Sequence, residues 1–378
     1  MNFALTDDQL MIRDAAEAFL AEASASAAVR SAMGTDCGFD PALWARVGAE
    51  LGWCATAIPE ADGGLGLGSV ELALLFEQMG RRQACLPFFS TVALAATALC
   101  EAGSEAARRR WLPRIAEGGL RATLALAASG VQWDAQHCGA VALRAGSGWR
   151  LDGRCAHVPD GATAELLLVA ARVDAGFGLF AVPADAAGLR REALDTWDAT
   201  RRLADIELHG LQLADDARVD AGALAAETFE RIEALAALLL AAEQLGGAQQ
   251  CLDLTLAYTR ERVQFGQSVA SFQAVKHRCA EMMVRIEATR SSVYGAAALA
   301  DTEPATRELA MEAGAAKAQA SEAFFFCAQE AIQLHGGVGF TWEYDPHLYF
   351  KRAQAGSRWL GTPERWRERI AQQLLDHA

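Results

Sequence analysis

Three long stretches in the second half of the chain constrain its fold more than anything else. Residues 227–263 (ETFERIEALAALLLAAEQLGGAQQCLDLTLAYTRERV), 271–300 (SFQAVKHRCAEMMVRIEATRSSVYGAAALA) and 306–337 (TRELAMEAGAAKAQASEAFFFCAQEAIQLHGG) contain no proline and repeat apolar residues at helical spacing. Joined by short connections, such segments can bury their apolar faces only against one another. With a fourth helix expected near the C-terminus, residues 221–378 read as a four-helix bundle. The longest clean apolar run, ALAALLLAA at 234–242, is closed by Glu233 and Glu243, too short to cross a bilayer, so no membrane association is expected.

Residues 1–120 read as a separate all-helical domain. Thr6 and Gln9 are spaced as a capping box ahead of an apolar-periodic run, and the loop PEADGGLGLGS precedes SVELALLFEQMG, whose final Gly80 is placed as a helix C-cap. Between these regions, residues 121–220 change texture. RATLALAA, AVALRAGSGWRLDG, AELLLVAAR, GLFAVPA and LADIELHGL are short β-rich runs whose G-S-G and D-G pairs suit hairpins, so a middle antiparallel β domain is expected. The fold class is α+β, mainly α.

Nine scattered cysteines, an odd number without a CxxC pair, point to reduced thiols and a cytoplasmic setting, and no histidine spacing suggests a metal. The start MNFALTDDQL shows no secretory pattern. A net charge of −14 opposes nucleic-acid binding.

The motif QLHGGVGF at 333–340 resists two familiar assignments. A GxGxxG fingerprint needs glycine at 342, which is Trp342, and an HGG oxyanion loop needs a GxSxG nucleophile that the chain lacks. A glycine-rich helix stop at Gly336 and Gly337 is the plain reading.

Taken with RERVQFGQSVASFQAVKH, that motif makes the chain resemble the acyl-CoA dehydrogenase family over essentially its whole length. Members bind FAD and oxidise an acyl-CoA thioester at Cα and Cβ. A carboxylate takes the α proton, hydride passes to the flavin, and an electron-transfer flavoprotein accepts the electrons. The resemblance implies that Arg262, Phe265 and Gln273, with Gln333, Gly336 and Gly337, reach across a subunit interface to FAD, and that Thr362 also contacts it. At least a dimer, homo- or hetero-oligomeric, follows.

The resemblance fails where the chemistry should be. The usual base position holds Leu360, followed by Gly361 and Thr362, and the alternative base position holds Ala236, with Ala237 where an arginine serves CoA. LAASGVQWD stands in place of a TEPxxGSD loop, and His157-Val158-Pro159 in place of Trp-Ile-Thr. Parts lent to a neighbour are kept and parts for the chain's own flavin ring and substrate are replaced. The expectation is therefore one subunit of a heteromeric enzyme; a non-catalytic structural or regulatory subunit is the alternative, and acyl-carrier or nitroalkane chemistry is a third.

Glu243, two helical turns from Ala236 on one face, is the remaining catalytic candidate, on the expectation that burial raises its pKa. Its competing role is a packing contact between helices. Arg201 and Arg202 are expected to hold the β domain on the bundle by ion pairing. Asp345 should cap or turn the chain before Pro346 rather than abstract a proton, and His335 is read as a satisfied loop histidine, with contact to phosphate or ribose as the alternative.

Overall fold

The computed structural model describes residues 5–129, 133–174, 176–302 and 304–375. The first helices are α1 (Asp7–Ala23), α2 (Ser26–Met33), α3 (Pro41–Ala45) and α4 (Ser69–Arg81). A widened helical stretch, Phe89–Ala96, runs into α5 (Thr97–Ala102), and α6 (Glu105–Ala116) follows. The capping box at Thr6 and Gln9 forms as the sequence spacing predicts.

The strands are β1 (Ala122–Ala125), β2 (Ala140–Ala145), β3 (Gly148–Pro159), β4 (Leu166–Val173), β5 (Gly176–Pro183), β6 (Leu189–Ala193) and β7 (Leu203–Leu213). They form one sheet in the order β1-β4-β2-β3-β7-β6, with β5 also on β4. The sheet is mixed rather than antiparallel, because β4 runs parallel to both β1 and β2. Of the turn signals, Gly146-Ser147 closes the β2–β3 hairpin. Asp152-Gly153 instead lies inside β3 at a register shift against β7, where a Cβ on Gly153 would sit 2.3 Å from the Gly139 carbonyl oxygen. A second irregularity in β3 carries His157 at φ 56°.

The bundle comprises α7 (Ala226–Glu261), a two-strand hairpin β8 (Val263–Gln264) and β9 (Gln267–Ser268), then α8 (Gln273–Ala300) and α9 (Thr306–His335). The expected single C-terminal helix is two, α10 (Pro346–Arg358) and α11 (Pro363–Leu375). The break falls at Leu360 and Gly361, both left-handed at φ 56° and 98°, just before Pro363.

Gly80 does not cap α4 but lies inside it, where α4 crosses α7. A Cβ there would lie 1.9 Å from the Glu243 carbonyl oxygen, and one on Gly246 of α7 would lie 1.8 Å from that of Glu77. Two glycines thus let the backbones touch, fixing the depth at which Glu243 enters the interior. Gly246→Ala is expected to force the helices apart and cost roughly 1–3 kcal/mol, measured as a lower denaturant midpoint at unchanged slope.

Candidate active site and cofactor surface

The retained motif residues gather at one end of the bundle. Helix α7 ends where the Arg262 amide bonds the Tyr258 carbonyl at 2.9 Å, and the Arg262 carbonyl accepts from Val269 at 2.8 Å, closing the β8–β9 hairpin. Tyr258 stacks on His335, ring centroids 4.4 Å apart, which brings the end of α7 beside the end of α9. His335 is buried and its Nδ1 lies 2.6 Å from the Ala331 carbonyl; burial lowers its pKa, so it is a neutral packing residue. Gly336 then turns the chain at φ 65°, ψ −144°, a conformation open to glycine.

The motif residues around that turn and the β8–β9 hairpin face outward. Arg262, Gln273, Gln333, Gly336 and Gly337 are exposed, and Phe265 is 91% exposed at φ 53°. Nothing lies within 4 Å of a Cβ built on Gly266, Gly336 or Gly337. A guanidinium, two carboxamides and uncrowded glycine amides form a donor set suited to a phosphate and an adenine edge. The chemistry of these residues is compatible with the phosphate end of FAD.

The interior near the two vacant base positions is built differently. Ala236 and Leu360 are fully buried, and the Leu360 carbonyl accepts the Trp366 indole N–H at 2.9 Å. Thr362 caps α11, its Oγ1 accepting from the Arg365 amide at 3.3 Å. Glu243, 6% exposed, accepts from Arg201 Nη2 at 2.5 Å and from Arg352 Nη1 at 2.7 Å. Arg352 also donates to Asp198 Oδ2 at 2.7 Å and Thr200 Oγ1 at 2.6 Å. Arg201 lies over the rings of Phe89 and Trp359, at 4.8 and 5.0 Å.

This overturns the expectation of a raised Glu243 pKa. Burial pushes the carboxyl up, but the guanidiniums of Arg201 and Arg352 outweigh it and hold it below the ordinary glutamate range. Ion pairing by Arg201 is as expected; Arg202 instead donates to the Met33 and Thr35 carbonyls at 2.7 and 2.9 Å. The void beside Glu243, lined also by Phe76, Met79, Phe89 and Asp160, is only about 20 Å³, room for a water molecule. Sequence reasoning missed Arg352 of α10, which no local motif marks.

Across this cluster lies a cleft of about 370 Å³ between the sheet and α10, walled by His157, Trp197, Leu203 and Trp359. His157 is held by Asp205, whose Oδ1 accepts its amide at 3.1 Å. Of the LAASGVQWD segment, residues 130–132 lie outside the described residues; Asp134 bonds His137 and Arg365. Asp345 precedes Pro346 at the start of α10 and pairs with Arg30 at 2.6 Å. A larger cleft, about 620 Å³, is lined from α7 by Arg231, Leu235, Leu238 and Leu239, and contains none of the sequence-predicted residues.

Known proteins match this architecture from end to end. Residues 6–119 fit the model of the acyl-CoA dehydrogenase N-terminal domain, and residues 231–375 that of the C-terminal domain. The chain belongs to the acyl-CoA dehydrogenase family. The chain is 33% identical over 372 residues to acyl-CoA dehydrogenase IpdE2 of Mycobacterium tuberculosis (strain ATCC 25618 / H37Rv), covering 98% of each. Its structure resembles the ChsE4-ChsE5 complex from Mycobacterium tuberculosis (TM-score 0.90, 27% identity, 100% of this chain and 99% of that one). It also resembles a variant of the Tcur3481-Tcur3483 steroid ACAD (TM-score 0.88, 32% identity, 98% of each chain). Family membership makes this acyl-CoA dehydrogenase homologue a flavoprotein of oxidoreductase type, with FAD as cofactor and a place in lipid metabolism. No helix among the described residues is long and apolar enough to cross a membrane.

Because Glu243 ionises more readily in the folded chain than in the unfolded one, its pairing stabilises the fold above about pH 4.5 and is lost as pH falls through its lowered pKa. Glu243→Gln should cost roughly 3 kcal/mol at neutral pH, since it leaves buried guanidiniums short of a partner. The deficit should shrink on acidification, followed as denaturation midpoints from pH 7 to pH 3. Lys317 carries the opposite sign. Fully buried on α9, it bonds Ser321 Oγ at 2.8 Å and the Gly356 carbonyl of α10 at 3.1 Å, and burial lowers its pKa to about 7. Lys317→Met should stabilise the chain most below pH 7, the gain fading to nothing above about pH 10.5, by the same titration.

Proposed function

We propose that this chain is one subunit of a heteromeric FAD-dependent acyl-CoA dehydrogenase that performs α,β-dehydrogenation of an acyl-CoA thioester. It lends Arg262, Phe265, Gln273, Gln333, Gly336 and Gly337 to a FAD site completed by a second family member. That partner supplies the carboxylate base, and an electron-transfer flavoprotein takes the electrons onward. When bound, the flavin accepts the hydride; the residues of this chain orient its phosphate end.

One observation carries the reading: the donor set suited to FAD is retained and exposed, while the interior beside Glu243 is closed by an ion cluster around a void of about 20 Å³. A lone chain with this interior has no carboxylate at position 236 or 360, and its only candidate at 243 is spent on two arginines. The likeness to solved structures described as the ChsE4-ChsE5 complex and the Tcur3481-Tcur3483 steroid ACAD supports a mixed assembly and a bulky acyl thioester as its substrate.

The test is co-expression with a family member that keeps the Glu-Gly-Thr triplet. The purified mixed complex should hold FAD and reduce it with acyl-CoA, whereas this chain alone should do neither. Arg262→Ala in this chain should weaken FAD retention of the complex by about tenfold to a hundredfold, the loss of one charged hydrogen bond of roughly 1.5–3 kcal/mol. Unchanged FAD content and turnover in that variant would instead leave this subunit a scaffold without a share in the site. Full FAD occupancy and turnover by the lone chain would refute the division altogether.

A further inference from the structure

Helix α11 is attached mostly by charge. Its buried residues are Pro363 and Trp366 alone. It hangs from Leu360 and Gly361, whose left-handed backbone at φ 56° and 98° is one that a leucine resists. Its three arginines reach three other parts of the fold: Arg365 bonds Asp134 ahead of β2, Arg367 bonds Glu322 of α9 at 2.5 Å, and Arg369 bonds Glu233 and Glu230 of α7 at 2.8 and 3.0 Å. Trp366 is the plug between them. It packs on Ala237 of α7 and Ala318 of α9, and a Cβ on Gly314 would lie 2.5 Å from its ring. A short helix held by one ring and a row of ion pairs is built to open locally before the rest of the fold does.

Glu233 is the weak point of this row. Its side chain is 1% exposed; Oε2 takes Arg369, and Oε1 has no hydrogen-bond partner among the described residues. Glu243, further along α7, has a guanidinium on each oxygen, and there pairing outweighs burial. At Glu233 the pairing is half made, and Arg369, 22% exposed, keeps part of its hydration. Burial therefore wins and lifts the carboxyl to about 7. Glu233 is also faced by Arg365 of α11, by Glu230, which shares Arg369, and by Asp134, whose Oδ1 lies 2.7 Å from His137 Nδ1. Burial raises Asp134 too, but its bonds from His137 and the charge of Arg365 outweigh that and hold it below the ordinary aspartate range. Burial alone would lower Arg369; Glu233 and Glu230 outweigh that and keep it charged.

We propose that α11 is a hinged strap held shut by a proton on Glu233. Closed, it keeps Trp366 in its socket. As the proton passes to solvent, the carboxylate and Arg369 take up water, α11 swings about Leu360 and Gly361, and the small-residue face at Ala237, Gly314 and Ala318 is uncovered. The carboxyl binds its proton more tightly in the closed state, so closure is fully favoured below about pH 4.5 and loosens as pH rises to about 7, where the effect levels off. The device is independent of any share that this chain has in a FAD site.

Hydrogen exchange of the purified full chain, read by mass spectrometry and corrected for the intrinsic rate, tests this. The amides of residues 367–372 should be about tenfold or more less protected than the buried turns of α9. Their protection should fall roughly twentyfold from about pH 5.5 to about pH 7.5, the change linkage gives for a carboxyl whose pKa moves from about 7 closed to 4.5 open. Glu233→Gln, which mimics the protonated carboxyl, should keep α11 as protected as at the lower pH and abolish the fall, whereas a merely structural ion pair would loosen in that variant. Arg369→Gln should move the fall to higher pH, which keeps the test decisive if Glu233→Gln does not fold. His137→Gln should leave the fall in place. Exchange of α11 in step with α9, protection independent of pH in the wild type, or a fall that survives Glu233→Gln or vanishes in His137→Gln would overturn the inference.

Discussion

The structure turns on one carboxylate held between two arginines. Removing Glu243, Arg201, Arg352 and Asp198 from water is costly, and the cost is offset only because the geometry is nearly saturated: both oxygens of Glu243 are engaged, and Arg352 reaches two further acceptors. The members come from α7, α10 and the loop before β7. A single knot therefore joins the sheet to two helices of the bundle, and the paired glycines of α4 and α7 set the level at which it ties.

The knot also explains the chemical asymmetry of the molecule. A base must be free to gain and lose a proton near neutrality; a carboxylate stabilised by two guanidiniums surrenders that freedom. Aromatic rings complete the closure, Phe89 and Trp359 lying 4.7 Å apart with Arg201 against both. At the far end of α7 the reverse holds, where backbone turns at Gly266 and Gly336 leave polar groups uncommitted in solvent. One end is made to be rigid and the other to be completed.

Much of this is legible in the amino-acid sequence. Helical periodicity placed the long segments that became α7, α8 and α9, because a face repeated over many turns admits few other solutions. The Gly-Ser hairpin was readable from turn chemistry, whereas Asp152-Gly153 was not, since the same dipeptide serves a bulge when a neighbouring strand presses on it. Gly80 misled in the same way: a glycine near a helix end looks like a stop until a second helix is laid across it. The second partner of Glu243 escaped for a different reason. Arg352 lies more than a hundred residues away with no local pattern, and whether burial or pairing wins at a carboxylate depends on neighbours that only the fold supplies. The parallel pairing of β4 is likewise a matter of long-range topology, not of strand sequence.

The hairpin after α7 carries a consequence for the cell that makes this chain. Val263 and Phe265 stand in water there, and Phe340 does so beyond the glycine turn of α9. Oily side chains on a protruding β8–β9 tip are tolerable only while something is available to cover them. Surplus copies would have no cover but one another, so the balance between the synthesis of this polypeptide and that of whatever shields its tip becomes a determinant of solubility in its own right.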